Sequence, residues 1–451
     1  MKTLITNAHI VTVDPTDAIY PEGSLIIDGE HISWVGDKNT LKQPLEIFDE
    51  VIDAKGDLVI PGLINAHTHN AYYLMRGLGM DRELKAWLIQ ATWPGLIEIQ
   101  PEDAYIGALA GCLENIKSGV TYLVDNYYSP RYKKGNIDSL LQGIIDSGIK
   151  GTIARGYHDI PHDIPEDFME PEDEVLAEYR RIIEKWHGAG NGRLSVWVSP
   201  VNLVYSTASS VQKVWQLARH YNVGMHTHTA EARFEVETIK KRYGMTIIEA
   251  FESLGVMGKD FHAVHAVHLT SREIEILRDH GATAIFNPAS NLLLASGIAP
   301  VEEMLQKGLR VALGTDAPNN NQDMIESMKL ATILPRVVNY NPVAVTSYQA
   351  LQMATIKGAE SLNLEGEIGS LEVGKKADIT IINMHNLHNT PVHDPITNLV
   401  YSANQSDVLT VFINGKKLLD QGKLLNFSEQ AVVADMQAAS EGLTKRIRQR
   451  F

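Results

Sequence analysis

Short apolar runs alternate with amphipathic stretches through the middle of the chain. The runs are rich in Val, Ile and Leu and carry few charges. Continuous apolar runs of a few residues are typical of strands that are buried on both faces. We therefore predict eight buried strands, at Leu58 to Ile64, Thr121 to Val124, Gly151 to Ala154, Leu194 to Val198, Gly224 to His228, Ala263 to His265, Thr283 to Phe286 and Val311 to Gly314.

The stretches between these runs place apolar residues at helical spacing, and several begin with Ser, Thr or an acidic residue that suits a helix start. Eight alternating strand and helix units in about 250 to 300 residues match a closed parallel barrel better than an open sheet. The predicted fold class is therefore α/β, with a (β/α)8 (TIM) barrel over residues 58–366. The predicted helices include Asp103 to Ser118, Ile137 to Ser147, Asp173 to Trp186, Ser209 to His220, Thr246 to Leu254, Ser271 to His280 and Val301 to Lys307.

The two ends of the chain have a different pattern. Residues 1–57 and 367–425 consist of short β-rich runs separated by turn signals such as Asn414-Gly415. We predict that they form one small β-sandwich domain together. Residues 426–451 are predicted to form a helix that docks through one apolar face, made of Val432, Val433, Met436, Leu443 and Ile447.

Composition narrows the class of partner and the compartment. The 451 residues carry a formal charge of −15, which disfavours nucleic acid and anionic membrane as partners. No apolar stretch is long enough to span a bilayer, and the first residues lack the pattern of a signal peptide. The single cysteine, Cys112, excludes an intrachain disulfide and fits a reducing compartment, so we expect a cytoplasmic protein.

Four predicted strands end in side chains that suit a metal site. His67 and His69 stand two residues apart, so both imidazoles point the same way on a strand. His228 and Glu231 end the fifth predicted strand, His265 ends the sixth, and Asp316 follows the eighth. Barrel enzymes place their catalytic residues at this carboxyl end of the strands.

These motifs resemble the amidohydrolase superfamily in their order: His-x-His, His-x-x-Glu, His and Gly-Thr-Asp. The segments Ser118-Gly119-Val120-Thr121, Asn287-Pro288-Ala289-Ser290-Asn291 and Gly369 to Asp378 are similar to its aminohydrolase and chlorohydrolase branch. That branch includes triazine chlorohydrolases, melamine deaminase and adenosylhomocysteine deaminases. The resemblance spans nearly the whole chain.

The resemblance implies that His67, His69, His228 and Asp316 bind one divalent ion, usually Zn²⁺ and sometimes Fe²⁺. Three imidazoles and a carboxylate also leave a coordination position for water. The bridging lysine of binuclear relatives has no counterpart in Gly151 to Arg155 or in Leu194 to Val201, which favours one metal. In the implied reaction, Asp316 accepts a proton from the attacking water, Glu231 protonates the ring nitrogen, and His265 steadies the developing charge.

Positions that match known substrate contacts give a mixed picture. Nucleoside deaminases of the branch carry a ribose-binding glutamate where this chain has Leu96, and a histidine where it has Val201 and Asn202. Arg155 matches an arginine that binds a substrate carboxylate. Asn320 replaces the residues near the leaving group of the triazine enzymes. Further pocket candidates are Asn70, Tyr72, Trp87, Trp93, Tyr127 and Asn291.

The preferred hypothesis is a hydrolytic deaminase of a compact amino-substituted N-heterocycle. The alternatives are a triazine-type chlorohydrolase, an adenosylhomocysteine or nucleoside deaminase, and a cyclic amide hydrolase. A non-catalytic binding protein would require that the chemistry be lost, whereas the six motif residues are intact. The resemblance also implies a homodimer or a larger homo-oligomer.

Overall fold

A computed structural model describes residues 1–161, 164–317 and 321–450. Its strands belong to two sheets, one of eight strands and one of nine. In chain order the strands are β1 (Lys2–Val11), β2 (Ile19–Asp28), β3 (His31–Asp37), β4 (Glu50–Asp53), β5 (Leu58–Pro61), β6 (Leu63–Thr68), β7 (Val120–Tyr127), β8 (Lys150–Tyr157), β9 (Leu194–Pro200), β10 (Met225–Thr229), β11 (Phe261–His265), β12 (Thr283–Phe286), β13 (Arg310–Leu313), β14 (Ile379–Ile382), β15 (Val408–Ile413), β16 (Lys416–Asp420) and β17 (Lys423–Leu424).

Helices follow most strands of the eight-stranded sheet. Within the described ranges, none of them is both long and apolar enough to cross a membrane. A 3-10 segment, Asn70–Met75, follows β6 directly. The helices are α1 (Leu84–Trp87), α2 (Trp93–Glu98), α3 (Pro101–Lys117), α4 (Gly135–Ser147), α5 (Glu172–Trp186), α6 (Ala189–Gly192), α7 (Ala208–Tyr221), α8 (Arg233–Tyr243), α9 (Ile247–Ser253), α10 (Ser271–Asp279), α11 (Pro288–Leu293), α12 (Val301–Gln306), α13 (Met324–Asn339), α14 (Ser347–Met353), α15 (Ile356–Ser361), α16 (Pro395–Tyr401) and α17 (Glu429–Arg450).

The eight-stranded sheet is the predicted barrel. Strands β6 to β13 pair in chain order, and the pairs are parallel. The last strand returns to the first where the backbone N–H of Asp316 donates to the carbonyl of His67 at 2.9 Å. The barrel therefore closes at the residues predicted to hold the metal, and the α/β barrel prediction is confirmed.

The prediction of one strand from Leu58 to Ile64 was wrong. Leu58–Pro61 pairs with β1 and β14 in the nine-stranded sheet, whereas the barrel strand starts at Leu63. Gly62 separates the two strands, and a Cβ there would lie 2.2 Å from the Thr121 side chain. Both strands are buried throughout, so the apolar pattern alone gives no sign of the break.

The nine-stranded sheet joins both ends of the chain, as predicted for the small β domain. Its order is β17-β16-β15-β14-β5-β1-β2-β3, with β4 paired to β1. Strand β5 provides the junction, because it lies between β1 from the first part of the chain and β14 from the last.

Helix α17 packs against α2, α3 and the 3-10 segment. Leu443 is fully buried there, while Val433 is 54% exposed, so the prediction that Val433 lies on the docking face was wrong. Adjacent residues on a helix point about 100° apart, so Val432 and Val433 cannot both face a narrow contact. Val432 packs against the core instead.

Candidate active site

The predicted metal ligands meet at the carboxyl end of the barrel. His67 lies near the end of β6 and His69 just beyond it, while His228 lies in β10 and Asp316 follows β13. The two atoms nearest to each other are Asp316 Oδ1 and His67 Nε2, at 3.0 Å. Asp316 Oδ1 is also 3.3 Å from His69 Nε2, and His228 Nε2 is 3.4 Å from His69 Nε2. Four ligand atoms thus converge on one point.

The hydrogen bonds of two imidazoles show which ring nitrogen is free. His69 Nδ1 lies 2.6 Å from the carbonyl oxygen of Asn126, and His228 Nδ1 lies 2.9 Å from that of Val201. A carbonyl oxygen only accepts, so each Nδ1 carries the proton and each Nε2 keeps a lone pair. His67 Nε2 is buried and lacks a hydrogen-bond partner in the described residues. This donor set fits a divalent metal ion.

His265 offers a second possible set of ligands. Each of His67, His228, His265 and Asp316 places one ligand atom within 4.8 Å of the others. However, the Asn291 amide nitrogen lies 2.9 Å from His265 Nδ1. In this orientation the amide donates, so the proton of His265 is on Nε2, which favours His69 as the third imidazole ligand.

His265 Nε2 faces two carboxylates, Glu231 Oε2 at 3.5 Å and Asp316 Oδ2 at 3.9 Å. Burial lowers the pKa of His265 to about 3, so its imidazole is neutral. Burial raises the pKa of Glu231 well above its ordinary value, and the charges of Glu235 and Asp316 add to the shift. Glu231 can therefore hold a proton near neutral pH and donate it.

The backbone is strained at two residues of the site. His265 and Asp316 both adopt left-handed conformations, with φ of 71° and 68°. Non-glycine residues rarely do so, and such strain concentrates at functional sites. Gly314, two residues before Asp316, has no room for a side chain, because a Cβ on it would lie 2.8 Å from the Cβ of His67.

A cavity of about 580 Å³, including its opening, lies above the metal ligands. It is lined by Tyr72, Trp87, Trp93 and Asn202, all of which were pocket candidates, and by Glu231 and His265. The His69 ring stacks on Tyr72 with centroids 4.6 Å apart. Its lining combines aromatic side chains with a few convergent polar groups, as small-molecule sites do.

Three comparisons with known proteins show the family and the fold of this chain. Residues 58–418 match the model of the amidohydrolase family. The chain belongs to the amidohydrolase family. This confirms the resemblance seen in the motifs.

Named relatives match almost the whole chain. A 5'-deoxyadenosine deaminase from Methanosarcina barkeri is 37% identical over 98% of this chain and 99% of its own. A 5-methylthioadenosine/S-adenosylhomocysteine deaminase from Syntrophomonas wolfei is 38% identical over 96% of this chain and 97% of its own. The crystal structure of an adenosine deaminase from Xanthomonas campestris with bound zinc has a TM-score of 0.90 and 28% identity, covering 99% of this chain and 98% of that one.

Other predicted contacts lie away from the cavity of this amidohydrolase. Arg155 is buried, and its Nη2 donates to both carboxylate oxygens of Glu170 at 2.6 Å. Leu96 is fully buried in the hydrophobic core. Asn291 is not among the described lining residues but contacts His265, which is, and Asn320 lies outside the described residues. Asn70 and Tyr127 are also buried and do not line the cavity.

The sequence reasoning missed several residues that line the cavity. Tyr128 and His158 follow barrel strands, and their rings make an edge contact at 4.7 Å. Their positions at strand ends were a usable signal, since catalytic-face residues follow strands. Tyr205, Phe234 and Leu294 come from loops and helices, where no local pattern marks them.

Proposed function

We propose that this chain is a metal-dependent deaminase that releases ammonia from the adenine ring of a nucleoside whose 5' substituent carries no negative charge. The predicted enzyme class, a hydrolase of C–N bonds in cyclic amidines, is confirmed by the family and by the deaminase relatives. The single observation that carries the proposal is the convergence of Asp316 with His67, His69 and His228 beside Glu231. Because the deaminase relatives are named for adenine nucleosides, the nucleoside alternative replaces the compact heterocycle as our preferred substrate.

His67, His69, His228 and Asp316 would hold the metal, with Zn²⁺ favoured by the zinc in the Xanthomonas campestris relative. A bound divalent ion would lower the pKa of a water molecule and so supply the nucleophile at neutral pH. Asp316 Oδ2 accepts a hydrogen bond from Ser290 Oγ at 2.5 Å and faces His265, so it would be the group placed to accept a proton in the site. Glu231 donates its proton to the ring nitrogen.

The cavity suits a flat ring with an uncharged or cationic substituent. Aromatic side chains such as Trp87 and Trp93 offer apolar faces for stacking. Three carboxyl groups, those of Glu231, Glu235 and Asp316, line the described part of the cavity, and no Lys or Arg does. No lysine or arginine of the described lining would therefore pair with a substrate carboxylate.

Ammonia release tests the proposal. The zinc-loaded enzyme and an Asp316→Ala control are given 5'-deoxyadenosine, 5-methylthioadenosine, S-adenosylhomocysteine, guanine and an aminotriazine. We expect ammonia from the first two nucleosides, less from S-adenosylhomocysteine, and none in the control. Ammonia from guanine or the triazine alone would overturn the substrate class.

If no member of this panel released ammonia with metal bound, the deaminase proposal would be overturned, and hydrolysis of a cyclic amide would be favoured.

The homodimer or larger oligomer remains a prediction. Sedimentation of the purified chain measures the oligomeric state.

A further inference from the structure

Two histidines lie behind the metal ligand His67 and do not line the cavity. His226 precedes the ligand His228 on β10, and His262 is its paired neighbour on β11. Both imidazoles are fully buried. Buried histidines outside the reacting site need hydrogen-bond partners, so their contacts decide what they can do.

These histidines form a continuous hydrogen-bonded chain with His67. His67 Nδ1 lies 2.8 Å from His226 Nε2, and His226 Nδ1 lies 3.0 Å from His262 Nδ1. The chain ends on the protein backbone, where His262 Nε2 lies 3.0 Å from the carbonyl oxygen of Ser361. Strands β6, β10 and β11 and helix α15 each contribute one member.

The carbonyl at the end sets the direction of every hydrogen bond. Because it only accepts, His262 Nε2 carries the proton, and Nδ1 of the same neutral ring must accept. His226 Nδ1 therefore donates to His262, and His226 Nε2 accepts from His67 Nδ1. His67 Nε2 is then left with a lone pair that faces Asp316. Burial lowers the pKa of His262 to about 4, which keeps its ring neutral.

The other two imidazole ligands reach a carbonyl directly, His69 at Asn126 and His228 at Val201. His67 has no such carbonyl and depends on two intervening rings. We propose that His226 and His262 are positioning residues that hold His67 in the one tautomer able to bind the metal, with the Ser361 carbonyl setting the direction. The inference rests on the proposed metal site.

Replacing His226 by Leu and by Gln separates hydrogen bonding from packing. Leu removes the acceptor, so His67 is free to move its proton to Nε2. Gln offers an amide oxygen to His67 and an amide N–H to His262, which reproduces the direction of the chain. We expect His226→Leu to weaken zinc binding about 10–100-fold, the usual cost of losing the partner of a ligand. His226→Gln should stay within a few-fold of the wild type.

Zinc affinity is measured by competition with a chromophoric chelator, and the visible spectrum of the cobalt-loaded protein reports the ligand geometry. Thermal unfolding of each metal-free variant shows whether it is folded. Equal zinc affinity in folded His226→Leu and wild-type protein would overturn the inference. Equal losses in the Leu and Gln variants would do so as well, because packing alone would then explain both.

The double variant His226→Gln/His262→Leu tests whether the effect passes through the hydrogen-bonded histidines. It remains informative if His226→Leu does not fold. His262→Leu should weaken zinc binding in the wild-type background, because His226 can then reverse its tautomer. It should add little in the His226→Gln background, since an amide has no tautomer to pass on. If His262→Leu lowered zinc affinity by the same factor in both backgrounds, the proposed coupling through His226 would be overturned. A wild-type chain that binds no divalent ion would instead overturn the proposed metal site.

Discussion

Two carboxyl groups share one buried corner of the cavity. Glu235 accepts hydrogen bonds from the backbone N–H groups of Glu231, at 2.7 Å, and Ala232, at 3.2 Å, at the start of α8. Asn202 Nδ2 donates to its other oxygen. Glu235 is thus held by three donors, whereas Glu231 has only a distant hydroxyl, that of Ser296 at 3.5 Å. Burial raises the pKa of Glu235 to about 7, and the three donors oppose that rise, so the contacts favour Glu231 as the carboxyl that keeps a proton.

Glu235→Gln should shift the pH profile of activity. Glu231 must be protonated to act as an acid, so kcat/KM falls as pH rises through its raised pKa. Removing the negative charge of Glu235 lowers that pKa, so the falling limb should move to lower pH, by about one unit for a nearby charge. The measurement is kcat/KM against pH for both proteins.

Glu231→Gln is the control. We expect kcat to fall about 10²–10⁴-fold and the falling limb of the pH profile to disappear, because an amide does not titrate. A limb that moves to higher pH in folded Glu235→Gln protein would contradict the assignment of Glu231 as the acid.

Single substitutions also distinguish the two possible imidazole sets. His69→Ala should abolish stable zinc binding, because His69 Nε2 carries a lone pair. His265→Ala should retain zinc and lose about 10²–10³-fold in kcat, as for loss of one donor at a developing charge. Metal content after dialysis and kcat are the two measurements. Zinc loss in His265→Ala with retention in His69→Ala would reverse the assignment.

At the scale of elements, β8 and α5 are joined by a buried ion pair rather than by apolar contact alone. Glu170, just before α5, pairs with Arg155 of β8, and the guanidinium lies 5.5 Å from the centroid of the Tyr179 ring. Tyr179 Oη donates to the carbonyl of Arg155 at 2.6 Å. The arginine therefore fastens a helix to the barrel.

Glu170→Gln should lower the free energy of unfolding by about 3–5 kcal/mol, because it leaves a buried guanidinium without its counter-charge. Chemical denaturation measures the change. Joint replacement of Arg155 and Glu170 by Met should recover much of the loss, since a buried pair often exchanges for apolar groups at little cost.

The substrate preference of Arg155→Met gives the functional control. The ratio of kcat/KM for S-adenosylhomocysteine to that for 5-methylthioadenosine should stay as in the wild type. A selective loss of S-adenosylhomocysteine turnover would mean that Arg155 binds the substrate carboxylate after all.

On the scale of the whole molecule, the end of the chain supports the start of the metal site. Ser440 Oγ in α17 donates to the Leu74 carbonyl at 2.7 Å, within the 3-10 segment that follows His69. Arg446 of the same helix pairs with Asp103 of α3. Helix α17 thus packs on the outside of the segment that leaves the first metal-binding strand.

Leu443→Ala should destabilise the protein by about 2–5 kcal/mol, because Leu443 is fully buried and its loss leaves a cavity. Val433→Ala on the same helix is the matched control and should stay within about 0.5 kcal/mol, since Val433 is largely exposed. The free energy of unfolding of both variants, measured with denaturant, tests this prediction. Equal effects would mean that α17 packs differently.

The sequence by itself determined the barrel and the candidate metal ligands. Strand and helix periodicities are local properties, and a parallel barrel brings all strand ends to one rim. The six motif residues could therefore be placed together at one rim without any knowledge of their distances: His67, His69, His228, Glu231, His265 and Asp316. The break at Gly62 escaped this reasoning because β5 and β6 are both apolar throughout.

Only the tertiary structure decided which partners these side chains meet. Arg155 pairs with Glu170 and therefore does not line the cavity. His262 contacts the carbonyl of Ser361, which lies 99 residues further along the sequence. Hydrogen bonds of this kind depend on side-chain direction and on contacts between distant segments, which no local pattern encodes. Proton placement, and with it the division between metal ligand and proton donor, follows from those contacts.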